Sequence, residues 1–312
     1  MISTMRSGQV RRGELLALAV FSLLTWQSAW HAAWGEEARA FPRRSTSATA
    51  CERASFRVIV DVGHTAEVPG AMSARGVPEY AFNLRLAKLI ERKLIDAGFA
   101  KTVLLITGGP ARRGLVERVT HANHASADLL LSIHHDSVPN QFLQRWEYEG
   151  KQNRYCDAFK GHSIFISNNN VARDASLRFA RLLGKGLQAR GLQYTPHYTE
   201  AFMGRRRREL LDAEAGVYRY DQLVVLRTTR IPAVLLEAGS IVNRAEESLL
   251  AAPERQLLIS AAVTEAVEKF CASQSPPNRG TLALRPRAAP TAGQPIGPAA
   301  QIRQATPAVD RR

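Results

Sequence analysis

Nearly continuous apolar runs at residues 58–62, 103–107, 129–133 and 233–237 constrain this chain more than any other feature. Each is strand-length rather than helix-length, and an unbroken apolar strand needs cover on both faces of its sheet. Two further runs, 163–167 and 223–226, fit the same pattern. Between the runs the period changes. Pro78 is placed to open a helix; Phe82, Leu86, Leu89, Ile90 and Leu94 then recur at helical spacing, and Gly98 ends it. Residues 112–126 put Leu115, Val116, Val119 and Ala122 on one face, and residues 173–189 do the same with Leu177, Phe179, Leu182, Leu183 and Leu187. A last helical segment, 254–270, runs through Leu257, Leu258, Ala261, Val267 and Phe270. Strands alternating with helices predict one α/β domain over residues 51–272, a single largely parallel sheet of about six strands with helices on both faces.

In such sheets, sites form outside the carboxyl ends of the strands. Two of the runs end there in histidine, as Asp61-Val62-Gly63-His64 and as Ser132-Ile133-His134-His135-Asp136. Glu79 opens the first helix, whose N-terminus lies at that same end, and the run at 233–237 ends in Glu237. Two histidines and a carboxylate make a catalytic zinc shell with one position left for water, and a further carboxylate is the general base that metal-assisted hydrolysis needs. A strand-end histidine taken singly is more often a hydrogen-bonded structural residue. Glu237 is harder to set aside, because an unpaired carboxylate after an apolar strand is costly to bury. Among the neighbours, His135 alternates to the opposite side from His134, as a supporting residue or a bystander. Asp136 is placed to accept the second N–H of a ligand imidazole. His121 and His124 read as helix surface, and His197, in a loop of Tyr, Thr and Pro, is a candidate for the cleft wall.

With these residues, from about Phe56 to Cys271, the chain resembles the zinc-dependent N-acetylmuramoyl-L-alanine amidases (amidase type 3), bacterial enzymes of cell separation and wall turnover. The resemblance implies one Zn2+ per chain. It places the first metal ligand at His64 through Asp-x-Gly-His, the second at Glu79 through Glu79 with Asn83-Leu84, and the third at His134 through Ser-Ile-His. The Leu-Glu-x-Gly-x-x-x-Asn segment, Leu236 to Asn243, implies Glu237 as the catalytic acid, and Tyr-Cys-Asp-Ala-Phe-Lys-Gly at 155–161 also resembles the family. One departure is visible: many members follow the first histidine with glycines, whereas Thr65-Ala66-Glu67 follow here and Gly70 comes later. The activity implied is hydrolysis of the peptidoglycan amide that joins the lactyl carbonyl of muramic acid to L-alanine. Some members hold an inserted helix over the metal until an activator protein removes it. Here residues 198–220 are short for such an insert. They suggest a basic rim of Arg205, Arg206, Arg207 and Arg208 for substrate carboxylates, with Glu209 a weaker candidate for masking the metal; a solvated surface helix is the plainer reading. A zinc peptidase acting on stem peptides, or a non-catalytic wall-binding protein, are the competing functions.

The ends of the chain bear on location. Arg6, Arg11 and Arg12 precede an apolar run at 15–26 and then small residues, the layout of a signal peptide over residues 1–40, with 41–50 as a linker. The run is shorter than the roughly 20 residues of a spanning helix, so the expectation is a soluble, exported protein of the periplasm or cell wall. The formal charge of +14 suits an anionic wall polymer. Export and the lack of a nucleic-acid module argue against nucleic acid. Residues 273–312, rich in Pro, Ala, Gln and Arg, read as a disordered basic tail. Of three cysteines, Cys51 and Cys271 bracket the folded body, where an oxidising compartment allows a bridge; two unrelated thiols are the alternative.

Overall fold

The computed structural model describes residues 51–274. The expectations for the signal peptide, the linker and all but the start of the basic tail lie outside the described residues. The chain runs β1 (Val58–Val62), α1 (Glu79–Asp96), β2 (Val103–Leu105), α2 (Ala111–His124), β3 (Leu129–Asp136), β4 (Gln144–Tyr148), β5 (Lys151–Tyr155), β6 (Ser163–Ile166) and α3 (Arg173–Gln188). Short 3-10 turns at His197–Thr199 and Ala201–Arg206 follow. The chain then continues through β7 (Leu210–Asp212), β8 (Val217–Arg219), α4 (Val224–Thr228), β9 (Ala233–Ser240), α5 (Arg244–Ala251) and α6 (Pro253–Gln274).

Seven of the strands form one sheet in the order β2-β1-β3-β9-β6-β8-β7, and β4 and β5 pair separately as a hairpin. The half β2-β1-β3-β9 is parallel throughout. β6 runs antiparallel to β9, β8 follows β6, and β7 turns back against β8. The apolar strands are continuous because each face has its own cover. Val60, Leu131, Ile133 and Leu236 pack with α1, α3 and α6, while Ile59, Leu130, Ala233 and Leu235 pack with α2 and α4. Fully burying each such aliphatic side chain stabilises the fold by about 1.5–3 kcal/mol.

One expected strand is helical. Residues 223–226 lie at the start of α4, where Thr228 and Thr229 donate back to the carbonyls of Val224 and Val225. The Asn170 side chain donates to the carbonyls of Leu226 and Thr229 at 2.7 and 2.9 Å, satisfying oxygens at the end of that short helix. A strand there would forfeit those bonds, and an apolar run of this length fits either state.

Cys51 and Cys271 form a disulfide that joins the start of the described chain to α6 across 220 residues, and Cys156 is a buried free thiol. Closing so long a loop removes entropy from the unfolded chain, about 2–5 kcal/mol of stability. Replacing both cysteines with serine should lower the melting temperature by roughly 5–15 °C in a thermal scan. An unchanged melting temperature would show that the bridge does not contribute.

Candidate metal centre

The sheet brings three ligand candidates to one place. β1 and β3 are parallel neighbours, so His64, just beyond β1, and His134, near the end of β3, emerge at the same edge. Glu79 is the first residue of α1 and reaches between them: its Oε2 lies 3.0 Å from His64 Nε2 and its Oε1 lies 3.0 Å from His134 Nδ1. One ligand atom from each residue falls within 4.8 Å of the others. Two imidazole nitrogens and a carboxylate oxygen at that separation suit a tetrahedral zinc ion, with His64 and His134 half-buried and Glu79 buried.

Local structure explains why these side chains hold still. A Cβ at Gly63 would stand 2.3 Å from His134 Nε2, so only glycine lets that ring lie against the β1 backbone. Gly70, at φ +80°, turns the following loop back so closely that a Cβ there would meet Glu79 Oε2 at 2.5 Å. The loop from Thr65 to Glu67 is tied down differently from a glycine turn. Thr65 Oγ1 donates to the Gly109 carbonyl and Glu67 accepts from the Gly109 N–H at 2.9 Å, fixing it to the start of α2. His64 itself has φ 67°, a left-handed conformation that costs a β-carbon residue energy. Arg118 from α2 clamps it by donating to the carbonyls of Val62 and His64, and is held in turn by Asp61 at 2.8 Å, with Ser132 Oγ donating to the other Asp61 oxygen at 2.6 Å.

Behind Glu79, the Asn83 amide donates to Glu79 Oε1 and to the Gly63 carbonyl at 3.2 Å each, and its oxygen accepts from His135 Nδ1 at 2.7 Å. His135 therefore supports Asn83, which in turn holds Glu79, and burial lowers its pKa to about 3, which keeps it neutral. Burial raises the Glu79 pKa, but hydrogen bonds from His134 and His64 outweigh it and hold the carboxyl well below the usual range.

Glu237 sits in register directly opposite His134 on the neighbouring parallel strand, so both side chains leave the same face. The residue as a whole is half-buried, yet its Oε2 is shielded and has no hydrogen-bond partner among the described residues. Burial, followed by the charges of Asp136 and Glu79, pushes its pKa well above the carboxylate range. The four residues border one cavity of about 280 Å³.

The amidase family model, described as N-acetylmuramoyl-L-alanine amidase (Amidase_3), matches residues 58–269, nearly the whole described body. This chain belongs to that family. A curated protein of Buchnera aphidicola (subsp. Baizongia pistaciae, strain Bp) whose name carries the same amidase designation is 24% identical over 217 residues, covering 68% of this chain and 95% of its own length. The fold is shared with solved amidases. The N-acetylmuramyl-L-alanine amidase Ami1 of Mycobacterium smegmatis superimposes with a TM-score of 0.54 at 20% identity, covering 71% of this chain and 99% of its own. The N-acetylmuramoyl-L-alanine amidase of Clostridium difficile 630 gives 0.52 at 20% identity, covering 71% and 100%.

Several sequence expectations for this amidase-family chain are resolved differently by the structure. Asp136 makes no hydrogen bond to the imidazole of His64 or His134. Its two oxygens share the single Tyr198 hydroxyl donor, each 2.8 Å away, and Oδ1 also accepts from the Ser137 N–H, while burial lifts its pKa to about 6. His197 does not border the metal cavity; it stacks on Tyr198 and faces a different one. The four arginines divide. Arg206 and Arg208 line the cavity, Arg206 donating to the Ser137 carbonyl at 2.9 Å and Arg208 lying 3.9 Å over the Tyr220 ring. Arg205 and Arg207 are exposed, and Arg207 donates instead to the Thr199 carbonyl. The segment is a pair of 3-10 turns rather than a surface helix, and Glu209 pairs with Arg219 at 3.0 Å, away from the metal ligands. Asn243 caps α5 by accepting from the Ala245 and Glu246 N–H groups. Arg118 and Tyr198 were not legible as site residues, since an arginine on an amphipathic helix reads as solvated surface and a loop tyrosine carries no period.

Proposed function

We propose that the chain is an exported, zinc-dependent amidase that hydrolyses the bond between the lactyl carbonyl of muramic acid and L-alanine in peptidoglycan. Family membership supports peptidoglycan amidase activity. The single observation that carries the chemistry is Glu237, with a shielded and unpartnered carboxylate oxygen, in register with His134 beside the His64–Glu79–His134 cluster. Zinc held by those three residues supplies Lewis acidity, which polarises a carbonyl and makes water nucleophilic near neutral pH. Glu237 takes a proton from the attacking water. Water's oxygen adds to the lactyl carbonyl, the C–N bond breaks, and Glu237 returns the proton to the alanine nitrogen, which leaves as an amine. Arg206 and Arg208 add positive charge at the cavity, where the stem peptide brings carboxylates.

The test is a defined disaccharide–pentapeptide. End-group analysis should find a new amine on L-alanine and a free lactyl carboxyl. A new amine on any later stem residue would make the enzyme a peptidase. The arginines give a second expected result. Changing Arg206 and Arg208 to serine should raise KM on sacculi several-fold and flatten its salt dependence, while the same change at Arg205 and Arg207 should do neither. Activity that instead rises would identify the segment as an inhibitory lid.

A further inference from the structure

A larger cavity, about 630 Å³, lies on the other side of the 3-10 segment from the metal site, between the loop at 157–162, the loop at 191–200 and α5. Tyr198 and Arg206 of that segment border the metal cavity, whereas His197 and Phe202 border this one. Two histidines here are unexplained by the reaction. His162 is buried, and neither ring nitrogen has a partner among the described residues. His197 is buried too; its Nδ1 is hydrogen-bonded to Thr195 Oγ1, and its Nε2 makes no hydrogen bond but lies 3.9 Å from Asp136 Oδ2, which borders the metal cavity. Burial holds both pKa values near 4, so both rings stay neutral, and the two His162 nitrogens are one donor and one acceptor without partners. Buried polar atoms left without partners are uncommon enough to call for one.

The rest of the lining says what kind of partner fits. Phe159, Phe202 and Tyr194 give an aromatic wall, with Phe159 and Phe202 centroids 5.4 Å apart. Phe202 and Leu249 are 40% and 47% exposed at the mouth, apolar surface that monomers seldom leave clustered without use. The charged groups balance, Lys160 and Arg255 against Glu200 and Glu246. Glu246 is already occupied by backbone N–H groups of Gly161 and Ser240. Balanced charge gives a polyanion no advantage. An aromatic wall with neutral, two-way hydrogen-bonding groups matches a pyranose, which has an apolar C–H face and a rim of hydroxyls and acetamide. A volume in the ordinary range of ligand pockets, about 300–1,000 Å³, admits one or two such rings.

We propose that this cavity is a second carbohydrate site, which binds N-acetylhexosamine units of the glycan strand and holds the enzyme on the wall apart from the catalytic cavity. The assignment of the sugar rests on the peptidoglycan reading above. The probe is N-acetylglucosamine tetramer, which has no lactyl–alanine bond, titrated into the full chain loaded with zinc and followed by imidazole NMR resonances. The expected result is saturable shifts at His162 and His197, with those of His64 and His134 unmoved. Phe202→Ala and Leu249→Ala, both at exposed positions, should each weaken the tetramer roughly five- to tenfold without changing hydrolysis of a small soluble muropeptide. No shift at His162 with millimolar tetramer, shifts confined to His64 and His134, or wild-type affinity in both variants would overturn the proposal. Binding at His162 in a chain that cuts no muropeptide would leave the sugar site standing and remove the amidase reading; cutting without binding would do the reverse.

Discussion

Glu237→Gln should lower turnover about 10²–10⁴-fold and leave zinc content unchanged. Glutamine has the same shape, so the strand pairing of Glu237 with His134 and Ser163 survives. The amide cannot take a proton from water, and among the described residues no other group in the cavity is placed to replace it. Asp136, the nearest rival by charge, is engaged by the Tyr198 hydroxyl and by Ser137. His135 is turned to Asn83 and buried. Turnover of a soluble muropeptide, measured beside zinc content by atomic emission, separates lost chemistry from lost metal. Near-normal turnover would move the proton transfer to another group.

His134→Ala should have the larger effect, with zinc and activity lost together. The histidine is one of the three proposed donors, and its ring is confined by Gly63 on one side and Glu79 on the other. Alanine leaves His64 and Glu79 as a two-donor site with a gap that water fills, too few ligands for a zinc ion held in place through purification. The fold should persist, since the sheet residues around it, Ile133 and Leu236, are untouched. Zinc content measured on purified protein should fall to substoichiometric levels, with circular dichroism unchanged. Full occupancy in this variant would contradict the ligand assignment.

The parallel half of the sheet was legible because its strands are buried on both faces and carry no competing period. Helices α1 and α3 announced themselves through Phe82, Leu86 and Ile90 and through Phe179, Leu183 and Leu187, each set sharing a buried face. In α6 the expected face was partly wrong: Leu257, Leu258 and Ala261 are exposed, and Ile259, Ala262, Val263 and Ala266 are buried beside Val267 and Phe270. What escaped was short or polar. β4 and β5 read Gln-Arg-Trp-Glu-Tyr and Lys-Gln-Asn-Arg-Tyr, joined at Glu149-Gly150, where both residues have positive φ as a tight hairpin turn requires. Its aromatic residues pack against one another and against the arginines of Arg75 and Arg244 rather than into the core. β7 and β8 are three residues each and take their identity from the sheet edge they extend. The candidate site was legible wherever a strand end supplied the residue, as for His64, His134 and Glu237. It was illegible where chemistry depends on a partner distant in sequence. Asp136 reads as a companion to its neighbour His134, yet the partner that claims it is Tyr198, 62 positions away.

The most direct measurement is digestion of purified sacculi by the full chain before chelation, after chelation, and after zinc is restored, with released ends read by mass spectrometry. The account predicts stem peptides beginning at L-alanine and glycan carrying free lactyl carboxyls, lost on chelation and regained with zinc. Undiminished release after the metal is removed, or ends at any other bond, would contradict it.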